Sequence, residues 1–198
     1  SFLNYNGYPA SICASINEVV IHGIPSSKQI LKDGDIISID IGANYKGYHG
    51  DCARTWPCGN VKSDRLKLIE VTEQSFFEGL KYAHPGNRLS DISHAIEMYA
   101  KKFNYGVVRD FTGHGVGSKL HEDPAVPNYG KEGMGPVLRK GMTLAIEPMI
   151  NMGTYKVKIL ADGWTTITSD HSPSAHYENS IVITDNGYEI LTKIKEND

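Results

Sequence analysis

The chain predicts an α+β fold with a mainly antiparallel sheet and helices on one face. Three observations carry this expectation. Short β-branched runs open and close the sequence, two stretches with helical spacing lie between them, and Asp162-Gly163 and Asn186-Gly187 supply hairpin turns. The 198 residues hold 40% hydrophobic side chains, enough for a real core, and a net charge of −3 gives no basic footprint for nucleic acid or an anionic membrane. Partners are therefore expected in a pocket.

From Ala10 to Pro57, SINEVVIHGI and DIISIDIGANYKGYHGDCARTW read as strands broken by glycine. Residues 63–84 change to helical spacing, with Leu66, Ile69, Phe76, Phe77, Leu80 and Ala83 as one stripe, Ser63 as N-cap and Pro85-Gly86 as the stop. Ser90 caps a second helix, LSDISHAIEMYAKKFN, striped by Ile92, Ala95, Ile96, Tyr99 and Phe103 and ending near Asn104 and Gly106. KGMTLAIEPMIN, YKVKILADGWTTITSD and HYENSIVITDNGYEILT then return to β character. No linker or charge block divides the chain, so a single domain spanning 1–198 is expected. The three cysteines, Cys13, Cys52 and Cys58, form neither a disulfide framework nor a C-x-x-C zinc pair, which points to a reducing compartment. The opening residues lack a signal-peptide pattern and no apolar run spans a bilayer, making the cytoplasm the expected location.

Four acids stand where apolar neighbours make them expensive. In IISIDIGA, Asp40 faces away from Ile37, Ile39 and Ile41. If NYKG closes the turn with Asn44 opposite Gly47, Asp51 lies directly across from Asp40, and facing like charges destabilise a sheet by roughly 0.2–1 kcal/mol. Glu147 interrupts MTLAIEPMI, and Glu178 precedes the β-branched run NSIVIT. Two divalent cations would neutralise four carboxylates and could be bridged by them at the roughly 3.5–4 Å spacing of hydrolytic sites. His114, between two glycines in FTGHGVGSKLHEDP, is the natural nitrogen ligand, and a mostly oxygen set with one imidazole suits Mn, Fe, Co or Zn. The same glycines make a helix through His114 and His121 unfavourable, leaving a loop or bent strand.

The ordered set Asp40, Asp51, His114, Glu147 and Glu178, in the strings DIGANYKGYHGD, GHGVG, HEDP, AIEPM and SAHYENSIVIT, resembles the methionine aminopeptidases. NGYPASICASINEVVIHGIP and DGWTTITSDHSPSAHYE narrow the resemblance to their type I, bacterial-like form. The resemblance implies the pita-bread (creatinase/aminopeptidase) fold, two pseudo-symmetric halves around a curved antiparallel sheet with a dinuclear metal centre at its heart. It implies a hydrolase that removes the N-terminal methionine from peptides and nascent proteins through a water activated by two divalent ions. By the same likeness, Asp40 and Asp51 are bidentate or bridging ligands, His114 and Glu147 hold one metal, and Glu178 bridges both. Glu147 also accepts a proton from the attacking water, His121 hydrogen-bonds the scissile amide, and His22 faces the leaving group. Tyr5, Tyr8, Cys13, Leu120 and Trp164, with Phe2 beside them, correspond to the methionine pocket. Cys13 is expected as a wall thiol and not a nucleophile.

The resemblance also implies an N-terminal helical segment before NGYP that this sequence lacks. The face carrying Ile37, Ile39 and Ile41 is then expected to lose its cover and recruit a partner, as in a homo-oligomer. Two competing readings are a relative that cleaves before proline, on the aminopeptidase P and prolidase branch, and a catalytically weak pita-bread module that binds peptides. The first usually carries further histidines and a large N-terminal domain, and the second typically loses metal ligands.

Overall fold

The structure is a computed structural model and describes residues 1–193. The described strands form four antiparallel sheets. The first joins β1 (Cys13–Ile16), β3 (Ile36–Tyr45) and β4 (Tyr48–Pro57) in the order β1-β3-β4. The second sets β2 (Val19–Ile21) beside β11 (Thr166–Thr168), which pairs in turn with β10 (Val157–Ile159). In the third, β9 (Met149–Asn151) lies between β5 (Gly106–Val107) and β12 (Ser174–His176). The fourth has five strands: β14 (Tyr188–Ile190), β13 (Asn179–Ile183), β8 (Thr143–Ile146), β6 (Gly113–Gly115) and β7 (Glu122–Val126), in that order. Two helices, α1 (Ser63–Leu80) and α2 (Leu89–Lys101), pack on each other and on the sheets. This is the α+β architecture that the strand, helix, strand order predicts.

The main core lies between the helices and the five-stranded sheet, where Phe76, Leu80, Ile92 and Ile96 meet Leu144, Ile146, Ile181 and Ile183. The buried stripe of α1 differs from the expected one. Leu68, Val71, Thr72, Ser75, Phe76, Gly79 and Leu80 face inward while Leu66 is exposed, because small residues complete the helical period there. Gly79 is one of them: a Cβ at this position would sit 2.8 Å from Ile96 Cγ1, so its absence lets the helices approach closely. The predicted caps are also displaced. Lys62 precedes α1 with Ser63 already helical, and Arg88 precedes α2, its amide bonded at 2.8 Å to the Asp91 carboxylate. Ser90 instead accepts the Met134 amide at 2.6 Å.

The β3–β4 hairpin corrects the expected register. Tyr45 pairs with Tyr48, and Lys46 and Gly47 form the two-residue turn with φ of 52° and 87°. Both central residues are left-handed, as the twist of a two-residue hairpin favours. Asp40 therefore pairs with Ala53 and Asp51 with Gly42. The shift is two residues, so both aspartates keep the same face and meet diagonally. On the opposite face Ile37 and Ile39 are half-buried, while Ile41 and Trp56 are 46% and 58% exposed.

Between β4 and the β12–β13 segment the sheets touch along a seam. Ala53 and Glu178 bond through their backbones, with Glu178 N donating to Ala53 O at 2.9 Å and the return bond stretched to 3.4 Å. On either side of that pair, hydroxyls replace the backbone ladder. Asp51 N donates to Ser180 Oγ at 2.9 Å and Ser180 Oγ donates to Asp51 O at 3.1 Å. Thr55 Oγ1 likewise accepts His176 N at 2.8 Å and donates to His176 O at 2.9 Å. The strands keep an antiparallel register, meeting directly at Ala53 and Glu178 and joined through a hydroxyl on either side, which satisfies backbone groups that would otherwise be buried and unpaired. Among the described residues, no helix is long and apolar enough to cross a membrane.

Candidate metal centre

The five residues read as ligands come from five separate places and converge on one cavity of about 250 Å³. Asp40 and Asp51 stand on the inner face of the first sheet, and His114 is the middle residue of β6. Glu147 lies between β8 and β9, where Pro148 interrupts the strand, and Glu178 between β12 and β13. The glycines around His114 are required by crowding: a Cβ at Gly113 would lie 2.3 Å from Ala145 O, and one at Gly115 2.3 Å from Asp123 O. The stretch expected as a loop or bent strand is thus a short central strand pressed between two neighbours.

Ligand atoms of Asp51, His114 and Glu178 all lie within 4.8 Å of one another. His114 Nε2 is 3.5 Å from Glu147 Oε1 and 4.0 Å from Asp51 Oδ2. Its Nδ1 is 2.8 Å from Gly115 O, and since a carbonyl only accepts, the proton sits on Nδ1 and the Nε2 lone pair faces the acids. Burial lowers the His114 pKa to about 4, so the ring is neutral at pH 7 and brings no balancing charge.

Burial pushes all four carboxyls upward, Asp51 to about 7 and Asp40, Glu147 and Glu178 well above their ordinary values. Mutual repulsion adds to the rise in the latter three. Among the described residues no lysine or arginine makes an ion pair with any of the four. Asp40 Oδ1 and Asp51 Oδ1 are buried without a hydrogen-bond partner. Orphaned oxygens around a shared focus, with a lone pair of a neutral imidazole aimed at it, are the donor set that a hard or borderline divalent cation requires.

The other predicted residues line the same cavity. Tyr5, Tyr8, Cys13, Leu120 and Trp164 form one wall with Phe2, and Asn6, which sequence reasoning did not single out, joins them. Tyr8 and Trp164 meet edge to face at 5.1 Å, and the Tyr8 hydroxyl donates to Gly23 O at 3.0 Å. Burial, reinforced by Asp40, raises the Cys13 thiol to about 12, which keeps it protonated as a wall residue. His121 lies 4.2 Å from His114 between ring centroids, and its Nδ1 engages the Tyr5 hydroxyl at 2.7 Å, leaving Nε2 free. His22 sits edge-on to Phe111 and Trp164 with a backbone φ of 58°, a conformation costly for a non-glycine residue and typical of positions where a side chain must be aimed.

Sequence reasoning missed His176, which is buried with Nε2 unpartnered 3.6 Å from Glu147 Oε2. The available signal was its place two residues before Glu178, the same face of an extended segment.

With this geometry in hand, comparison with known proteins is specific. The model of metallopeptidase family M24 matches residues 3–185. The methionine aminopeptidase of Clostridium acetobutylicum is 58% identical over 192 residues, covering 97% of this chain and 77% of that protein. The crystal structure of the Thermotoga maritima methionine aminopeptidase superposes with a TM-score of 0.96 at 48% identity, over 98% of this chain and 78% of that one. A prolidase from Pyrococcus horikoshii is more distant, with a TM-score of 0.73 and 26% identity over 94% of this chain and 48% of its own.

Proposed function

Because the chain belongs to metallopeptidase family M24, we infer that it is a metal-dependent aminopeptidase that removes the N-terminal methionine from peptides and nascent proteins. The observation that carries this reading is the convergence of four acids and a neutral imidazole beside an apolar, aromatic-walled pocket. The proposed occupant is a pair of divalent ions, drawn from Co, Mn, Fe and Zn. When bound, they supply Lewis acidity and a water whose pKa falls far enough for attack at neutral pH.

The chain's own residues do the rest. Asp40, Asp51, His114, Glu147 and Glu178 would hold the ions. Glu147, 3.5 Å from His114 Nε2, would also serve as the proton acceptor of the site. His121 directs its free Nε2 at the scissile amide, Tyr5 fixing the other nitrogen. His22 faces the group that leaves. The thioether packs against Tyr8 and Trp164, whose edges favour sulfur contact, with Cys13, Leu120, Tyr5 and Phe2 closing the wall. Cys13, Cys52 and Cys58 are all free, which supports a reducing, cytoplasmic setting.

The test is methionine release from Met-Ala-Ser by metal-free protein and after addition of Mn, Co, Fe or Zn. Release that requires a metal is the expected result. Preference for Xaa-Pro peptides, or binding of two ions with no cleavage, would overturn the reading in favour of the prolidase branch or a binding module.

A further inference from the structure

We propose that Arg54 is a positioning residue that fixes Glu178 from behind the sheet, and so sets the alignment of the metal cage. The inference rests on Glu178 being a bridging ligand. Glu178 lies outside the flanking strands, so no regular ladder holds its peptide. Its amide has a good partner in Ala53 O at 2.9 Å, but the bond from Ala53 N to its carbonyl is long, at 3.4 Å. Arg54 supplies what is missing. Half-buried on the face opposite Asp51 and Ala53, it directs Nη1 to the Glu178 carbonyl and, at 2.8 Å, to Ala53 O, while Nη2 donates to Asn179 Oδ1 at 2.7 Å. The guanidinium also lies over the Tyr177 ring, 4.0 Å from its centroid.

One planar group thus grips three consecutive residues, Tyr177, Glu178 and Asn179, and ties them to β4, the strand that carries Asp51. A carboxylate in a two-ion cage must be held to within a fraction of an ångström, and charge-assisted, forked hydrogen bonds are suited to that task. Lysine keeps the charge but has no fork. The role assigned here is geometric, so lysine should restore only part of it.

The test compares wild type, R54M and R54K by calorimetric titration of the metal-free proteins with Mn(II), by thermal unfolding, and by kcat and KM for Met-Ala-Ser at saturating metal. Loss of a group that orients metal ligands typically weakens metal binding about 10–100-fold, and R54M is expected in that range, with reduced kcat and little change in KM. R54K should fall between R54M and wild type. Mn(II) affinity within twofold of wild type in R54M, even with a lowered Tm, would make Arg54 a structural staple only and overturn the proposal. Wild-type behaviour of R54K would overturn the forked-bond argument, a reading that survives even if R54M fails to fold. A wild-type protein that binds no Mn(II), Co(II), Fe(II) or Zn(II) would instead sink the metal-centre reading beneath it.

Discussion

Two regions of this molecule are buried to a similar degree with opposite contents. Between the helices and the five-stranded sheet, Phe76, Ile92, Ile96 and Leu144 are fully enclosed and every contact favours the fold. At the seam, Asp51, Glu147 and Glu178 are nearly as enclosed, and each contact between them opposes it. The first region explains why the chain folds. The second is an electrostatic cost that bound protons relieve in the metal-free protein and that a cationic ligand would relieve in their place.

The comparison can be broken most directly by removing metal. Chelation should abolish methionine release and return it on addition of one suitable ion, while far-UV circular dichroism stays folded. Next in size, Ile96→Ala should cost about 2–5 kcal/mol in denaturant unfolding and leave Mn(II) affinity unchanged, since Ile96 is buried in the core where α2 packs on Gly79 of α1. His121→Ala should leave stability and metal content intact but lower kcat by about 10²–10³, the typical loss of one preorganised donor.

A fourth test sharpens the contrast through pH. Below about pH 6.5 two effects oppose each other in the metal-free protein. The raised carboxyls hold protons that the unfolded chain has released, while His22, His114 and His176, lowered to about 4, 4 and 3, stay neutral where the unfolded chain charges them. Above pH 6.5 the histidines are neutral in both states and the acids alone remain. Metal-free stability should then fall as pH rises through the Asp51 value of about 7, by about 1.4 kcal/mol per pH unit for each proton the folded state still holds in excess. Metal-loaded protein should show the opposite slope, because ions displace those protons. Smallest of all, Leu66→Ala should change stability by no more than about 0.5 kcal/mol, since Leu66 faces water.

How much of this was legible in the sequence depended on whether the signal was chemical or geometric. Acids inside apolar strands announced themselves, because Glu147 in MTLAIEPMI and Glu178 before NSIVIT have no inexpensive explanation. Face alternation on β3 and β4 was legible for the same reason. Register was not: the hairpin depends on Lys46 accepting a left-handed backbone, which its side chain does not advertise. The phase of α1 was hidden because Thr72, Ser75 and Gly79 occupy the buried stripe, and small or hydroxylated residues do not read as apolar. Arg54 was invisible as a functional position, since its partners Glu178 and Asn179 lie 124 and 125 residues away in the chain, whereas His176, which reaches Glu147 only in the folded chain, was marked by nothing but its place two residues before Glu178.

The hydroxyl contacts at Ser180 and Thr55 have one more implication. A backbone ladder accepts almost any side chain, so ordinary strand pairs drift freely in composition. Here the joint between the two sheets is specified by particular side chains, and an exhaustive substitution screen should find positions 55 and 180 restricted to serine and threonine although neither lines the cavity. The two sheets are buttoned, not woven, and the buttonholes lie on either side of Glu178, the ligand proposed to bridge the ions.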